Sequence, residues 1–142
     1  MDVSERIRVL AARDRLAQTL GIELVRGDAA QVVLRLRLTE AHANFYGYGH
    51  GGAIFTLADA AFGLLCNAQA HVAVALDVHL TFSTAVRPGE ELIATAQQLT
   101  RTRHTGTYRV DVHTAAGARV SQFTGTAYVT DKPVPDTTPD GP

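Results

Sequence analysis

The sequence predicts an α+β fold in which one curved antiparallel sheet wraps around a single long central helix. Two observations lead to this expectation. The segment from Gly51 to about Ala70 has helical length and is apolar on nearly all sides, which is typical of a helix enclosed by protein. Strand patterns fill most of the remaining chain, and residues 72–82 place large apolar side chains at every second position. A sheet curled around the helix is the simplest packing of these elements.

The chain before this helix divides into one helix and two strands. Ser4 is a suitable N-cap for an N-terminal helix that continues to about Leu20, and Gly21 is expected to end it. A short strand follows over residues 21–25. Residues 32–38 then alternate between large apolar and other side chains, which predicts a strand with one face towards solvent.

Residues 41–49 break the alternating pattern and predict a loop that leads into the central helix. After that helix the sequence contains only strands and turns. The predicted strands cover residues 72–82, 92–100, 106–114 and 120–130. A single sheet of this kind has free edges, and pairing with a second copy would protect them, so a dimer is the smallest unit we expect.

The length of 142 residues suits one domain, which we assign to residues 1–131. The last residues, 132–142, are rich in proline and aspartate and are expected to form a disordered tail. A formal net charge of −1 and a pI near 6.6 provide no basic field for nucleic acid, so nucleic-acid binding is not expected.

Several sequence features that are missing indicate the cellular compartment and argue against certain cofactors. The single cysteine, Cys66, cannot form an internal disulfide, which favours a reducing cytoplasm. The N-terminus lacks the pattern of a signal peptide, and the apolar run of residues 51–66 is too short to cross a bilayer, so no membrane association is expected. No cysteine and histidine spacing is typical of a metal site. The literal GxGxxG match at residues 47–52 does not follow a strand directly, which argues against a dinucleotide site.

Asp59 lies in the middle of the apolar helix and is the first candidate for chemistry. Moving an ionised carboxylate out of water costs on the order of several kcal/mol, unless the group is paired or hydrogen-bonded. No Lys or Arg occurs between Glu40 and Val86, so no cation on this helix can neutralise it. Asp59 is therefore either a structural hydrogen-bond acceptor or a reactive group with a perturbed pKa.

His50, Gly51 and Gly52 open the helix. The two glycines allow another molecule to approach the backbone, and the free N–H groups of the first turn attract negative charge, as an oxyanion hole requires. Asp59 is eight residues beyond Gly51, which places it about 12 Å further along the helix axis. If both groups serve one substrate, the helix N-terminus has to come from a neighbouring subunit.

The segment from His50 to Gly63, His-Gly-Gly-Ala-Ile-Phe-Thr-Leu-Ala-Asp-Ala-Ala-Phe-Gly, resembles the signature helix of the PaaI-type (phenylacetic acid degradation) hotdog-fold thioesterases. Asn44, six residues before His50, fits the same pattern, as do residues 80–90 and 101–108. The resemblance covers roughly residues 18–130. It implies a hotdog fold, hydrolysis of aromatic acyl-CoA thioesters such as phenylacetyl-CoA without a cofactor, and a homotetramer built from dimers.

The resemblance also implies roles for individual residues. Asp59 would be the nucleophile or general base, and the Gly51 N–H of a partner subunit would polarise the thioester carbonyl. Asn44 and His50 would orient the thioester or the attacking water. We further expect substrate contacts from Gly52 and Tyr48, and contacts with the coenzyme A phosphates at a strand turn, from Arg101, Arg103, His104 and Thr105.

Two other functions remain open at this point. The same fold serves acyl-thioester dehydratases and hydratases, which pair a histidine with an acid across the site, and His50 and Asp59 would provide such a pair. A non-catalytic acyl-CoA-binding sensor is the second alternative. A sensor has no need of a carboxylate within the helix, so the sequence favours the enzyme.

Overall fold

Three α-helices and six strands make up the fold within residues 1–135, which are the residues that the computed structural model describes. A short 3-10 helix precedes the third α-helix. In chain order the elements are α1 (Val3–Ala11), α2 (Arg15–Leu20), β1 (Glu23–Gly27), β2 (Gln31–Arg37), the 3-10 helix (Glu40–His42), α3 (Gly51–Cys66), β3 (His71–Phe82), β4 (Glu91–Arg101), β5 (Thr105–Thr114) and β6 (Arg119–Pro133).

The N-terminal region differs from the single helix predicted from Ser4 to Leu20. Asp2, rather than Ser4, caps α1, since its carboxylate accepts the N–H of Glu5 at 2.8 Å. Asp14 caps α2 in the same way and so begins a second helix. The pattern of apolar residues continues through this break, which is why periodicity alone did not reveal it. Gly21, with a φ of +83°, ends α2 as expected.

All six strands form one antiparallel sheet in the order β1-β2-β4-β5-β6-β3. Strands β4, β5 and β6 are consecutive neighbours, whereas β3 pairs with β6 at the far edge of the sheet. The first strand begins at Glu23 rather than Gly21, because the N–H of Ile22 still bonds to α2 at 2.9 Å. The other predicted strands agree with the structure to within one residue at most ends.

Helix α3 lies across the sheet and packs against β2, β3, β4, β5 and β6. Its side chains meet those of the sheet in one continuous core, where the ring of Phe62 is 5.5 Å from both Tyr108 and Phe123. The helix ends at Cys66, four residues earlier than predicted. Asn67 explains the difference, because its side chain bonds both to the α3 backbone and to Ala73 in β3.

One side of α3 is only partly covered by its own chain. The residues on this side recur at helical spacing and are exposed or half-buried: Gly52, Phe55, Thr56, Asp59, Ala60 and Gly63. The sequence led us to expect a helix enclosed on all sides, and within one protomer the enclosure holds on the sheet side only. We refer to these six residues as the open stripe.

The C-terminal region corrects the predicted tail boundary. Strand β6 continues to Pro133, and His71 in β3 pairs with it there. Val134 is buried, and its N–H donates to the carbonyl of Ala70 at 2.8 Å. Residues 132–134 therefore belong to the folded domain. The remaining part of the predicted tail, residues 136–142, lies outside the described residues.

Candidate active site

Asp59 lies in the centre of the open stripe, in a cleft of about 260 Å³ between α3 and the N-terminal helices. Leu10 and Asp14 form the opposite wall of the cleft, and Gly63 and Asn67 lie further along it. Among residues 1–135 the carboxylate of Asp59 accepts no hydrogen bond and forms no ion pair. This carboxylate is therefore half-buried, and no cation of the described chain neutralises its charge.

The surroundings raise the pKa of Asp59 above its ordinary value of 3.8. Partial burial is the larger cause, because it disfavours the charged form. The nearby carboxylate of Asp14 is the second cause, through repulsion of like charges. Sequence analysis anticipated the effect of burial but missed Asp14, which is distant in sequence and carries no local signal. The result is a carboxylate of increased basicity that is open to a ligand.

His50 caps α3 and determines which backbone donors of the first turn are available. Its Nδ1 atom accepts the N–H of Gly52 at 2.8 Å, so that N–H is occupied. That N–H is therefore not available for the substrate contact expected of Gly52. The N–H of Gly51 has no acceptor among residues 1–135 and remains available. Of the two glycines, Gly51 is thus the one with an N–H that is free to donate to a ligand.

Asn44 and Tyr48 lie in one cleft with Gly51, about 360 Å³ in volume and walled on the other side by residues 82–86. The carboxamide oxygen of Asn44 accepts the N–H groups of Tyr46 and Tyr48, at 2.9 and 3.1 Å, and so shapes the loop. Its Nδ2 group has no acceptor in the described chain and is free to donate to a ligand. The hydroxyl of Tyr48 accepts a bond from Arg87, whose guanidinium also lies 4.7 Å from the Tyr48 ring centre.

Within one protomer these residues form two separate groups. Gly51 is at the start of α3 and Asp59 is eight residues later, which corresponds to about 12 Å along the helix. No thioester carbonyl can contact both. The structure therefore brings Asn44, Tyr48 and Gly51 together in one cleft and places Asp59 in another.

The four residues expected at the coenzyme A phosphates are only partly suited to that task. Arg101 is half-buried and donates to the hydroxyl of Tyr108 at 2.6 Å and to the carbonyl of Cys66 at 3.3 Å. This guanidinium stabilises the C-terminus of α3, and both bonds use its Nη1 group. The N–H of Thr105 is occupied by the Thr102 hydroxyl at 3.1 Å. Arg103 and His104 are exposed, and the His104 ring stacks on Tyr128.

His42 has a structural role that sequence reasoning did not find. Its side chain is buried. Its Nδ1 accepts the N–H of Thr39 at 2.9 Å, so the neutral ring carries its proton on Nε2 and donates it to the carbonyl of Leu20 at 2.6 Å. The backbone carbonyl of His42 also accepts the N–H of His50. His42 thereby fixes the loop before α3 to the end of α2.

Three further findings concern the single cysteine, metal ligands and membrane-spanning helices. Cys66 is buried, and burial raises the pKa of its thiol to about 12, so it is not a nucleophile at neutral pH. In residues 1–135 no three His, Cys, Asp or Glu side chains are grouped as metal ligands. None of the helices in this part of the chain has both the length and the hydrophobicity needed to cross a membrane.

Comparison with known proteins identifies the family. Residues 46–121, which contain α3 and the loop before it, match the family model of the Thioesterase superfamily. The chain belongs to this superfamily. As a thioester hydrolase it has the PaaI-type hotdog fold, in which the curved sheet surrounds the central helix, as the sequence predicted.

Individual relatives cover most of this thioesterase. A predicted esterase of Deinococcus radiodurans is 38% identical over 78% of the chain and 75% of its own length. The acyl-coenzyme A thioesterase PaaI of Escherichia coli is 32% identical over 81% of the chain and 82% of its own. The solved structure of that PaaI protein superposes with a TM-score of 0.88, at 28% identity over 92% and 95% of the two chains. A Streptococcus pneumoniae thioesterase protein solved with coenzyme A superposes at 0.75, with 26% identity over 78% and 87%.

Proposed function

We propose that this thioesterase hydrolyses acyl-CoA thioesters and prefers aromatic acyl groups of the phenylacetyl type. The observation that carries the proposal is Asp59, a half-buried carboxylate with a raised pKa and no partner among residues 1–135. The Escherichia coli relative is named an acyl-coenzyme A thioesterase and comes from the phenylacetic acid degradation operon. The Streptococcus pneumoniae neighbour was solved with coenzyme A. Both support an acyl-CoA substrate, and the operon of the Escherichia coli relative supports the phenylacetyl type.

The proposed active site combines groups from two subunits. Asp59 of one protomer acts on a thioester whose carbonyl oxygen accepts the N–H of Gly51 of the partner subunit. Two α3 helices that pack antiparallel through their open stripes would bring these groups together twice, once at each end of the pair. The free Nδ2 group of Asn44 is placed in the Gly51 cleft and is suited to orient the thioester.

The reaction follows from these groups and requires no cofactor. Acting as a general base, Asp59 removes a proton from water, and the oxygen attacks the carbonyl carbon. The Gly51 N–H stabilises the negative charge that forms on the carbonyl oxygen. The carbon–sulfur bond then breaks, the thiolate of coenzyme A receives a proton, and the free acid leaves. Direct attack by the Asp59 carboxylate, followed by hydrolysis of the anhydride, gives the same products.

A dimer is the smallest assembly that completes this site, and we propose a tetramer of two such dimers. The distance of about 12 Å between Gly51 and Asp59 along α3 excludes a site within one chain. Strand β3, at the edge of the sheet, exposes Val74, Leu76 and Phe82 and offers an unpaired backbone. Edge pairing of β3 with a second copy would protect both.

For the coenzyme A phosphates we propose Arg103 and His104. Both are exposed at the turn between β4 and β5, next to the end of α3 where Arg101 is bound. An antiparallel second helix would bring this turn towards the Gly51 end of the partner. Arg101 and Thr105 are assigned to holding the turn rather than to the ligand.

The two alternative functions are less well supported by the geometry. A dehydratase would have to use Nε2 of His50, because Nδ1 accepts the Gly52 N–H, and the relatives that support an acyl-CoA substrate are named thioesterases. A sensor does not explain why Asp59 is left without a partner. Release of thiol from phenylacetyl-CoA would indicate hydrolysis, and appearance of an enoyl chromophore from a hydroxyacyl-CoA would indicate dehydration.

The test of the proposed function is the substitution Asp59→Asn, which keeps the size of the side chain and removes its basicity. We expect thiol release from phenylacetyl-CoA to fall roughly a hundredfold or more, the usual scale for a lost general base. Asp131→Asn, which removes an exposed carboxylate at the far end of β6, is the control and should keep normal turnover. Unchanged turnover in Asp59→Asn would contradict the proposal.

A further inference from the structure

A mainly apolar cavity lies beneath the N-terminal helices and has no role in the site described above. It is bounded by α1 and α2 on one side, by β1 and β2 on another, and by α3 at its base, and its volume is about 340 Å³. Its apolar lining consists mainly of Ala11, Ala17, Ile22, Leu24, Leu34 and Leu64. The alanines leave the space open, because larger side chains at the same positions would fill it.

This cavity adjoins the cleft that contains Asp59. Asp14, Ala60 and Leu64 line both spaces. An acyl group whose carbonyl lies at Asp59 is therefore next to this cavity. The volume falls in the range of small-molecule binding pockets, at about 300–1,000 Å³.

The chemistry of the two ends of the substrate decides which space each end occupies. Pantetheine carries amide groups that need hydrogen-bond partners, and the cleft at Gly51 offers Asn44 and the exposed Ser83 and Thr84. An acyl group needs apolar surface, and the cavity under α1 and α2 is the more apolar of the two spaces. Polar side chains occur at its rim, where Arg8, Gln18 and Glu23 are found.

We infer that this cavity is the acyl-binding pocket and that the N-terminal helices determine the acyl specificity of the enzyme. The inference rests on the proposed function and assigns the acyl group of its substrate to side chains of α1, α2 and α3. The aromatic ring lies between Ala11 of α1 and Ala60 of α3, and the carbonyl points to Asp59. A ring hydroxyl is accommodated at the polar rim. The acyl pocket therefore belongs to the same protomer as the catalytic carboxylate.

The first experiment reduces the cavity with Ala11→Phe. We expect kcat/KM for phenylacetyl-CoA to fall roughly tenfold or more, since hydrophobic pockets discriminate by about 10–200-fold per methylene group. The affinity for free coenzyme A, which has no acyl group, should be unchanged in a calorimetric titration. The matched control is Val9→Phe, which adds the same ring on the other side of α1, where Val9 borders a different surface groove. It should leave both quantities unchanged.

The second variant, Leu24→Ala, enlarges the cavity and decides the matter if Ala11→Phe fails to fold. We expect the ratio of kcat/KM for naphthylacetyl-CoA to that for phenylacetyl-CoA to rise roughly tenfold. An unchanged ratio, or equal losses of kcat/KM and coenzyme A affinity in a folded Ala11→Phe variant, would overturn the inference. Absence of thiol release by the unsubstituted protein from every acyl-CoA would instead refute the proposed function itself.

Discussion

The carboxylates of Asp14 and Asp59 face each other across one cleft and differ in their hydrogen bonding. Asp14 accepts the N–H of Ala17 and so has a hydrogen bond that stabilises its charge. Asp59 has no such bond in the described chain, and the charge of Asp14 raises its pKa further. Asp14 can therefore influence the reaction through its charge, without touching the substrate.

Replacing Asp14 by Asn should therefore change the pH dependence of the reaction. Asparagine still caps α2, but it removes the negative charge next to Asp59. The pKa of Asp59 should decrease, so the acidic limb of the plot of log kcat/KM against pH should move to lower pH. Asp2→Asn is the matched control, because Asp2 caps α1 in the same manner and does not contribute to the pKa shift of Asp59. If the acidic limb stays in place, Asp14 has no influence on the base.

At the scale of single residues, the sequence indicated candidate residues better than it indicated their hydrogen-bond partners. Asp59 was found because its charge conflicts with the apolar residues around it, and that conflict is visible in the sequence. The roles of Gly52, Arg101 and His42 depend on which atom each meets in the folded chain. Hydrogen-bond partners 22 or 35 residues apart leave no local pattern, so these roles could not be read from the sequence.

The start of α3 shows how one element sets the chemistry of its own terminus. The capping bond from the Gly52 N–H to His50 removes one donor from the site and leaves the Gly51 N–H free. Gly52 has to be glycine for this cap, because a Cβ atom there would lie 2.9 Å from Nδ1 of His50. A Cβ on Gly51 would meet the ring of Phe82 at 3.1 Å.

A double-mutant cycle tests this account of the cap. Gly52→Ala should lower the free energy of unfolding by about 1 kcal/mol, the usual contribution of an N-cap. In a His50→Ala background the same change should be neutral or slightly stabilising, since alanine is the better helix former and no ring is left to displace. Urea unfolding of the four proteins provides the measurement. An equal loss in both backgrounds would show that Gly52 matters for another reason.

Element types were easier to predict than element ends. The alternation along β3 to β6 reflects burial on one face of the sheet, and burial is what hydrophobic patterns report. The start of α2 and the end of α3 are determined by Asp14 and Asn67, whose side chains replace backbone hydrogen bonds. The prolines suggested a tail from residue 132, whereas pairing with β3 retains the chain in the sheet to Pro133.

At the scale of the whole molecule, the proposed assembly requires that each active site contain parts of two chains. A variant Gly51→Pro lacks the oxyanion N–H. Proline suits the first position of a helix, and the exposed ring of Phe82 has to move slightly to admit its Cβ. Asp59→Asn lacks the base. Each variant alone should be inactive, because every site of its dimer lacks one group.

Mixing these two inactive variants should restore activity. A mixed dimer contains one site with both an intact Asp59 and an intact Gly51, so random exchange in equal amounts should recover about a quarter of the normal number of sites. Thiol release before and after refolding the two together measures this recovery. If the mixture stays inactive while light scattering shows mixed dimers, the two groups do not share a site.

The unpaired carboxylate of Asp59 also connects catalysis to folding stability. Its pKa in the folded protein is above the ordinary value of 3.8, so between these two pH values the native state holds more protons than the unfolded chain. The contribution of this group to stability is complete below pH 3.8 and is lost as the pH rises through the folded-state pKa. Proton loss from Asp59 thus activates the base and weakens the native state in the same step. A variant that gained stability by neutralising this carboxylate would therefore lose its catalytic base.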